Sequence, residues 1–95
     1  MKIKVHYISL LKTFTKISHE EFEMKEAALL SDLLAKIAEK YEKPFTQEVY
    51  DPEQKEMKAT FVAMVNGIHM DQLHGVNTPL KEGDSIILMS LMTGG

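Results

Sequence analysis

Hydrophobic and polar positions change their period along the chain, and the changes predict an ordered series of elements. Residues 2–8 alternate between apolar and polar side chains, which is typical of a β-strand with one buried face. Residues 10–18 predict a turn, and residues 21–24 alternate again as a second strand. Apolar positions within 30–41 then recur every three or four residues, which predicts an amphipathic helix capped by Ser31.

The second half of the chain predicts three more strands and no further helix. Residues 45–58 are polar and irregular, whereas 61–65 form an apolar strand followed by Asn66-Gly67, a strong hairpin signal. A short strand over 68–70 returns, and residues 85–89 form the last strand. We therefore expect an α+β fold in which a mixed sheet of four to five strands packs against one main helix. With the first and last strands as central neighbours, this is a β-grasp domain over residues 1–92, followed by a tail over 93–95.

The amino-acid composition excludes several kinds of function for this chain. The chain has 95 residues, enough for one domain, and its net charge of −3 argues against nucleic-acid binding. The absence of cysteine excludes disulfides and thiolate chemistry, and the four histidines lack metal-ligand spacing, so we expect no metal. No apolar run approaches the length of a membrane span, and no signal-peptide pattern precedes the first strand. We expect a cytoplasmic protein with no membrane partner.

The candidate chemistry lies in the last two residues, Gly94 and Gly95. Two glycines after the final strand would form a slender arm, since glycine has no side chain and tolerates most backbone angles. The terminal carboxylate is a poor acyl donor until it is condensed with ATP to an acyl-adenylate. A sulfur nucleophile could then displace AMP and leave a thiocarboxylate on Gly95. No glycine-rich loop suits a nucleotide, so ATP would be used by an activating partner and no cofactor bound by this chain.

Several segments resemble the small subunit of molybdopterin synthase and its relatives, the thiamine-pathway sulfur carrier and the ubiquitin-related modifiers. The resemblance covers nearly the whole chain, and its most specific segment is Thr78-Pro79-Leu80-Lys81-Glu82-Gly83-Asp84, an apolar strand, and then Thr93-Gly94-Gly95. It implies a ubiquitin-like β-grasp fold and a sulfur carrier, not an enzyme, serving molybdenum or tungsten cofactor synthesis. The implied partners are an adenylating enzyme, a sulfurtransferase, and the large synthase subunit or another sulfur acceptor.

The resemblance also implies roles for individual residues. Gly95 would carry the adenylate and thiocarboxylate, while Gly94, Thr93 and Met92 would position it. The partners would dock on the outer sheet face, where our candidate contact residues are Ile8, Met64, Met89 and Leu91. Family members commonly place two prolines and a valine before the last three residues, where this chain has Ser90, Leu91 and Met92. This departure leaves open which activating enzyme and which acceptor fit.

Two other functions stay open. A ubiquitin-like modifier would use the same activation but join Gly95 to lysine amines of other proteins. A β-grasp binding module would carry an idle Gly-Gly, and removing Gly94 and Gly95 would then change nothing. The sequence does not separate the molybdopterin, tungsten, thiamine and cysteine pathways, and it does not show whether processing exposes Gly95.

Overall fold

A computed structural model describes residues 1–91 as seven strands and three α-helices around one core. The strands are β1 (Lys2–Tyr7), β2 (His19–Glu23), β3 (Tyr50–Asp51), β4 (Glu56–Met57), β5 (Phe61–Val65), β6 (Ile68–His69) and β7 (Ser85–Ser90). The helices are α1 (Leu11–Thr15), α2 (Leu30–Tyr41) and α3 (Lys43–Glu48), with two 3₁₀ turns between β6 and β7. Within this described part of the chain, no helix has the length and apolar character needed to cross a membrane.

Five strands form one mixed sheet in the order β2-β1-β7-β5-β6. The first and last strands, β1 and β7, are parallel neighbours at its centre, and every other pairing in the sheet is antiparallel. A parallel pair needs a crossover connection, which here contains α2. The predicted α+β class, the mixed sheet and the ubiquitin-like β-grasp arrangement are therefore confirmed.

The core lies between α2 and one face of the sheet. Eight strand residues predicted to face the helix are all buried in a single cluster with it: Ile3, Val5, Tyr7, Phe61, Ala63, Val65, Ile86 and Leu88. From the helix, Leu33, Leu34 and Ile37 are fully buried in the same cluster. Truncating a buried Leu or Ile to Ala costs about 2–5 kcal/mol, so these positions hold the helix against the sheet.

The start of α2 differs from the prediction, because Ser31 lies inside the helix and is buried. Leu29 is the N-terminal flanking residue, and its backbone N–H donates to the Asp32 carboxylate at 2.8 Å. Leu29 also forms an isolated antiparallel bridge with Pro79. This bridge holds Leu29 extended and makes Leu30 the first helical residue, a tertiary constraint that the local sequence does not show.

Two short helices and one small hairpin were among the elements not predicted. The segment expected to be a turn contains α1, which is too short to show a helical period and is anchored by the buried Leu11. Pro44 does follow the end of α2, but it also occupies the first turn of α3, where proline is tolerated. The segment 45–58 is therefore not irregular: Phe45 of α3 and Tyr50 of the β3–β4 hairpin are both fully buried.

Candidate functional site: the outer sheet face beside the C-terminal arm

The C-terminal arm begins where β7 ends beside β5. Leu91 continues the pairing, since its backbone N–H donates to the Thr60 carbonyl at 2.7 Å. Its side chain is 56% exposed, the largest exposure among the large hydrophobic residues described. The predicted tail residues Met92, Thr93, Gly94 and Gly95 lie outside the described residues. Leu91 is thus the last residue whose position the structure describes.

The strongest sequence motif has a structural role at the opposite end of β7. Asp84 accepts hydrogen bonds from the Lys81 backbone N–H at 2.8 Å and from the Asn66 amide at 2.9 Å. The Asn66 side-chain oxygen in turn accepts from the Ser85 N–H at 2.9 Å. Asn66 and Gly67 both have positive φ, as a tight hairpin turn requires. These bonds hold β7 in register with β5, and the register determines where Leu91 lies.

The sheet face away from α2 carries an apolar patch on its three central strands. Register places Ile87 of β7 opposite His6 of β1 and Met64 of β5, and Met89 opposite Val62. Ile8 follows β1 directly, and its N–H donates to the Leu88 carbonyl at 3.0 Å. We call the five apolar residues of this face the outer patch: Ile8, Val62, Met64, Ile87 and Met89.

The outer patch is accessible although its residues are apolar. Ile8 is 40% exposed, Val62 is buried, and Met64, Ile87 and Met89 are half-buried. A contiguous apolar surface of this kind commonly marks a protein interface, and methionine side chains adapt to different partner shapes. Three of the four predicted docking residues belong to this patch, and the fourth, Leu91, follows Met89 by two residues and so shares its face. Alternation along β5 would also have identified Val62, which the sequence analysis missed.

Histidines flank the outer patch on both sides. His19 on β2 lies opposite His6, with ring centroids 5.7 Å apart, and His69 on β6 lies opposite Met64. The His69 ring accepts from the Asp71 backbone N–H at 3.0 Å. Among residues 1–91, no group of three or more histidines and carboxylates is placed to hold a metal ion. These rings therefore form polar borders of the patch.

A partly buried carboxylate ties the sheet to α2 on the other face. Glu20 accepts from the hydroxyls of Tyr7 and Tyr41, both at 2.6 Å, and pairs with the Lys40 ammonium. Burial by itself would raise the pKa of Glu20, but the bonds from Lys40, Tyr41 and Tyr7 together hold that pKa below its ordinary value. Burial, followed by the hydrogen bond to Glu20, raises the pKa of both tyrosines. This cluster joins β1, β2 and α2, and it leaves no free acid or base in the described core.

Comparison of this chain with known proteins identifies its fold and its family. No curated protein matches the chain, whereas solved structures match it closely. A Pyrococcus furiosus protein described as molybdopterin converting factor, subunit 1, is 26% identical with a TM-score of 0.74, over 96% of this chain and 98% of that one. The small archaeal modifier protein 1 of Methanosarcina acetivorans is 19% identical with a TM-score of 0.79, over 99% and 96%. The Amycolatopsis orientalis BexX/CysO complex contains a chain 17% identical with a TM-score of 0.73, over 98% and 99%.

The sequence model of the ThiS family matches residues 5–95. This match spans nearly the whole chain and includes Thr93, Gly94 and Gly95, all of β7 and the second half of β1. Each of the three solved structures agrees with this chain in fold, over almost the full length of both chains. The chain therefore belongs to the ThiS family of small ubiquitin-like sulfur carriers and modifiers.

Proposed function

We propose that this chain is a sulfur carrier whose Gly95 carboxylate is adenylated by a partner enzyme and converted to a thiocarboxylate. The observation that carries the proposal is the match to the ThiS family, which extends through the terminal Gly-Gly. The outer patch beside the start of the arm supports it, because a protein that presents its own end needs a surface for its partner. The chain acts as a protein cosubstrate, or as the small subunit of a heteromeric sulfurtransferase.

The proposed chemistry has two balanced steps. A Gly95 carboxylate oxygen attacks the α-phosphorus of ATP, which forms the acyl-adenylate and releases pyrophosphate. Hydrosulfide, or its equivalent delivered by a sulfurtransferase, then attacks the carbonyl carbon, and AMP leaves with the original oxygen. Since the chain has no cysteine, the terminal thiocarboxylate would be its covalent sulfur site. ATP is bound by the partner, and this chain supplies the carboxylate and the docking surface.

The acceptor that we propose is the molybdopterin precursor, bound in a large synthase subunit. The support is the likeness to the Pyrococcus furiosus protein described as molybdopterin converting factor, subunit 1, which is the most similar in sequence of the three structures compared. The molybdenum and tungsten cofactors share this pterin, so the proposal covers both.

A second candidate is conjugation of Gly95 to lysine amines of other proteins. It is favoured by the likeness in fold to the small archaeal modifier protein of Methanosarcina acetivorans, whose name describes a modifier. Both candidates require the same adenylation step and differ in the nucleophile that receives the acyl group.

Intact-protein mass spectrometry tests the proposal. The purified chain is incubated with ATP, a sulfide donor and extract of the source cells. A mass gain equal to replacement of one oxygen by sulfur, mapped to Gly95, is expected. A matched variant extended by one residue beyond Gly95 should show no gain. New conjugates on lysines without the sulfur product would favour the modifier, and neither product would refute adenylation of Gly95.

A further inference from the structure

A depression of about 460 Å³ lies at the β1 side of the outer patch. Its apolar floor is formed by Ile8 and Ile87 of that patch. Lys12, His6, Ser9 and Ser18 are among its polar lining residues. No carboxylate lines it, so every side chain that can carry charge here is cationic or neutral. We call this feature the Lys12 depression.

The backbone after β1 brings Lys12 to this position. Ser9 has φ +62°, a left-handed conformation that turns the chain sharply at the end of the strand. The Lys12 N–H then donates to the Ser9 carbonyl at 3.2 Å, which starts the short helix α1. Leu11 next to it is fully buried and fixes the helix against the core. Lys12 is therefore held near the outer patch by a packed turn.

Within residues 1–91, the Lys12 ammonium has no ion-pair partner. On the rest of this face, lysines lie opposite acids across the β1–β2 pairing, with Lys2 opposite Glu23 and Lys4 opposite Glu21. Glu20, the acid nearest in sequence to His19, points to the helix side and is occupied by two tyrosines and Lys40. At the start of β1 the lysines therefore have acids opposite them on β2, whereas no carboxylate residue lines the depression around Lys12 at the other end of the strand.

We propose that the Lys12 depression receives an Asp or Glu side chain of the protein that docks on the outer patch, with an apolar neighbour of that acid seated on Ile8 and Ile87. The inference rests on the proposed function, since the docking protein is the enzyme that activates Gly95. The charge complementarity assigns a protein carboxylate to Lys12, and the apolar floor assigns the adjacent aliphatic or aromatic side chain. Electrostatic contacts at an interface rim mainly set the association rate and its dependence on salt.

The test is ATP–pyrophosphate exchange by the purified ubiquitin-activating-like enzyme of the same organism, measured against concentration of this chain. We compare Lys12→Glu with Lys16→Glu, a matched charge reversal on the residue that follows α1, which is exposed and does not line the depression. Lys12→Glu should raise the KM for the carrier roughly tenfold at low salt, and Lys16→Glu should change it less than about twofold. The difference should shrink in 0.5 M salt, because charges are then screened within a few ångströms.

The outcomes separate this inference from the function on which it rests. No exchange with the wild-type chain would overturn the proposed function and the inference with it. Exchange with the wild type and an equal response of both variants would overturn the inference alone. A change in the KM for ATP without a change in the KM for the carrier would assign Lys12 to a nucleotide phosphate and would also overturn it. Lys12→Arg keeps the positive charge and should therefore leave the KM for the carrier unchanged.

Discussion

The hydroxyl of Tyr7 offers a sharp test of the Glu20 cluster. Tyr7 is 1% exposed, and its hydroxyl donates to the Glu20 carboxylate at 2.6 Å. A hydrogen bond to a charged group contributes about 1.5–3 kcal/mol to stability. In Tyr7→Phe, Glu20 would keep its bonds to Tyr41 and Lys40. We therefore expect the free energy of unfolding to fall by an amount near the lower end of this range, about 2 kcal/mol at pH 7. For a domain of this size, that lowers Tm by roughly 8–16 °C.

Urea unfolding at pH 7 and at an acid pH below the folded pKa of Glu20 measures the effect, with Tyr50→Phe as the matched control. Tyr50 is also 1% exposed as a residue, but its hydroxyl has no hydrogen-bond partner among residues 1–91 and is not a buried unpaired atom, so it reaches solvent. Its loss should therefore cost less than about 0.5 kcal/mol. At the acid pH a protonated Glu20 offers only a neutral bond, and the Tyr7→Phe loss should fall to about 1 kcal/mol. Equal losses in the two variants, or the same Tyr7→Phe loss at both pH values, would refute the reasoning.

Four further predictions concern Glu20, the hairpin, the outer patch and the chain end. The pKa of Glu20 is lowered by folding, so its contribution is present above its unfolded pKa of about 4.3 and is lost as pH falls through the folded value. Glu20→Gln should therefore flatten the decline of unfolding free energy below about pH 5, and an unchanged slope in acid titrations would contradict this. Gly67 has φ +84° and open space around it, so Gly67→Ala should cost about 1 kcal/mol of backbone strain in urea unfolding; no loss would show that the turn has relaxed. Met89→Asp should weaken binding to the activating enzyme at least roughly tenfold while changing stability by less than about 1 kcal/mol, as calorimetry would show, since the side chain is half-buried on the outer face; undiminished binding would place the docking surface elsewhere. One residue added after Gly95 should abolish sulfur loading and leave Tm unchanged in scanning calorimetry, because the described core ends before the tail; a lower Tm would mean that the end of the chain packs on the domain.

The outer face of the sheet has the apolar composition of a protein interface. Its apolar residues alternate with core residues along β5 and β7, so each strand contributes to the core on one side and to the patch on the other. A sheet covered by a single helix leaves its second face open, and apolar residues retained there are available to a partner. Leu91, the last residue that the structure describes, lies at the border of this surface, so a protein docked on the patch would lie beside the residue that leads to the Gly-Gly end.

The main elements follow from local sequence patterns. Alternation in 2–8 placed β1, the apolar run 61–65 placed β5, the helical period of 30–41 located α2, and Asn66-Gly67 located the hairpin. These signals are local because side-chain direction repeats every two residues in a strand and every 3.6 residues in a helix. The same alternation placed Ile8, Met64 and Met89 on one face before any pairing was known.

Tertiary structure alone decided the rest. Helices of five or six residues such as α1 and α3 complete too few turns to show a period, and the buried Leu11 and Phe45 hold them in place. The first residue of α2 depends on the Leu29–Pro79 bridge, which joins segments 50 residues apart in the chain. The Glu20 cluster and the Lys12 depression each combine residues from separate elements, so no local pattern contains them. The sequence alone determines the terminal Gly-Gly and the family, whereas the folded sheet determines which surface lies beside it, because only strand register brings distant side chains together.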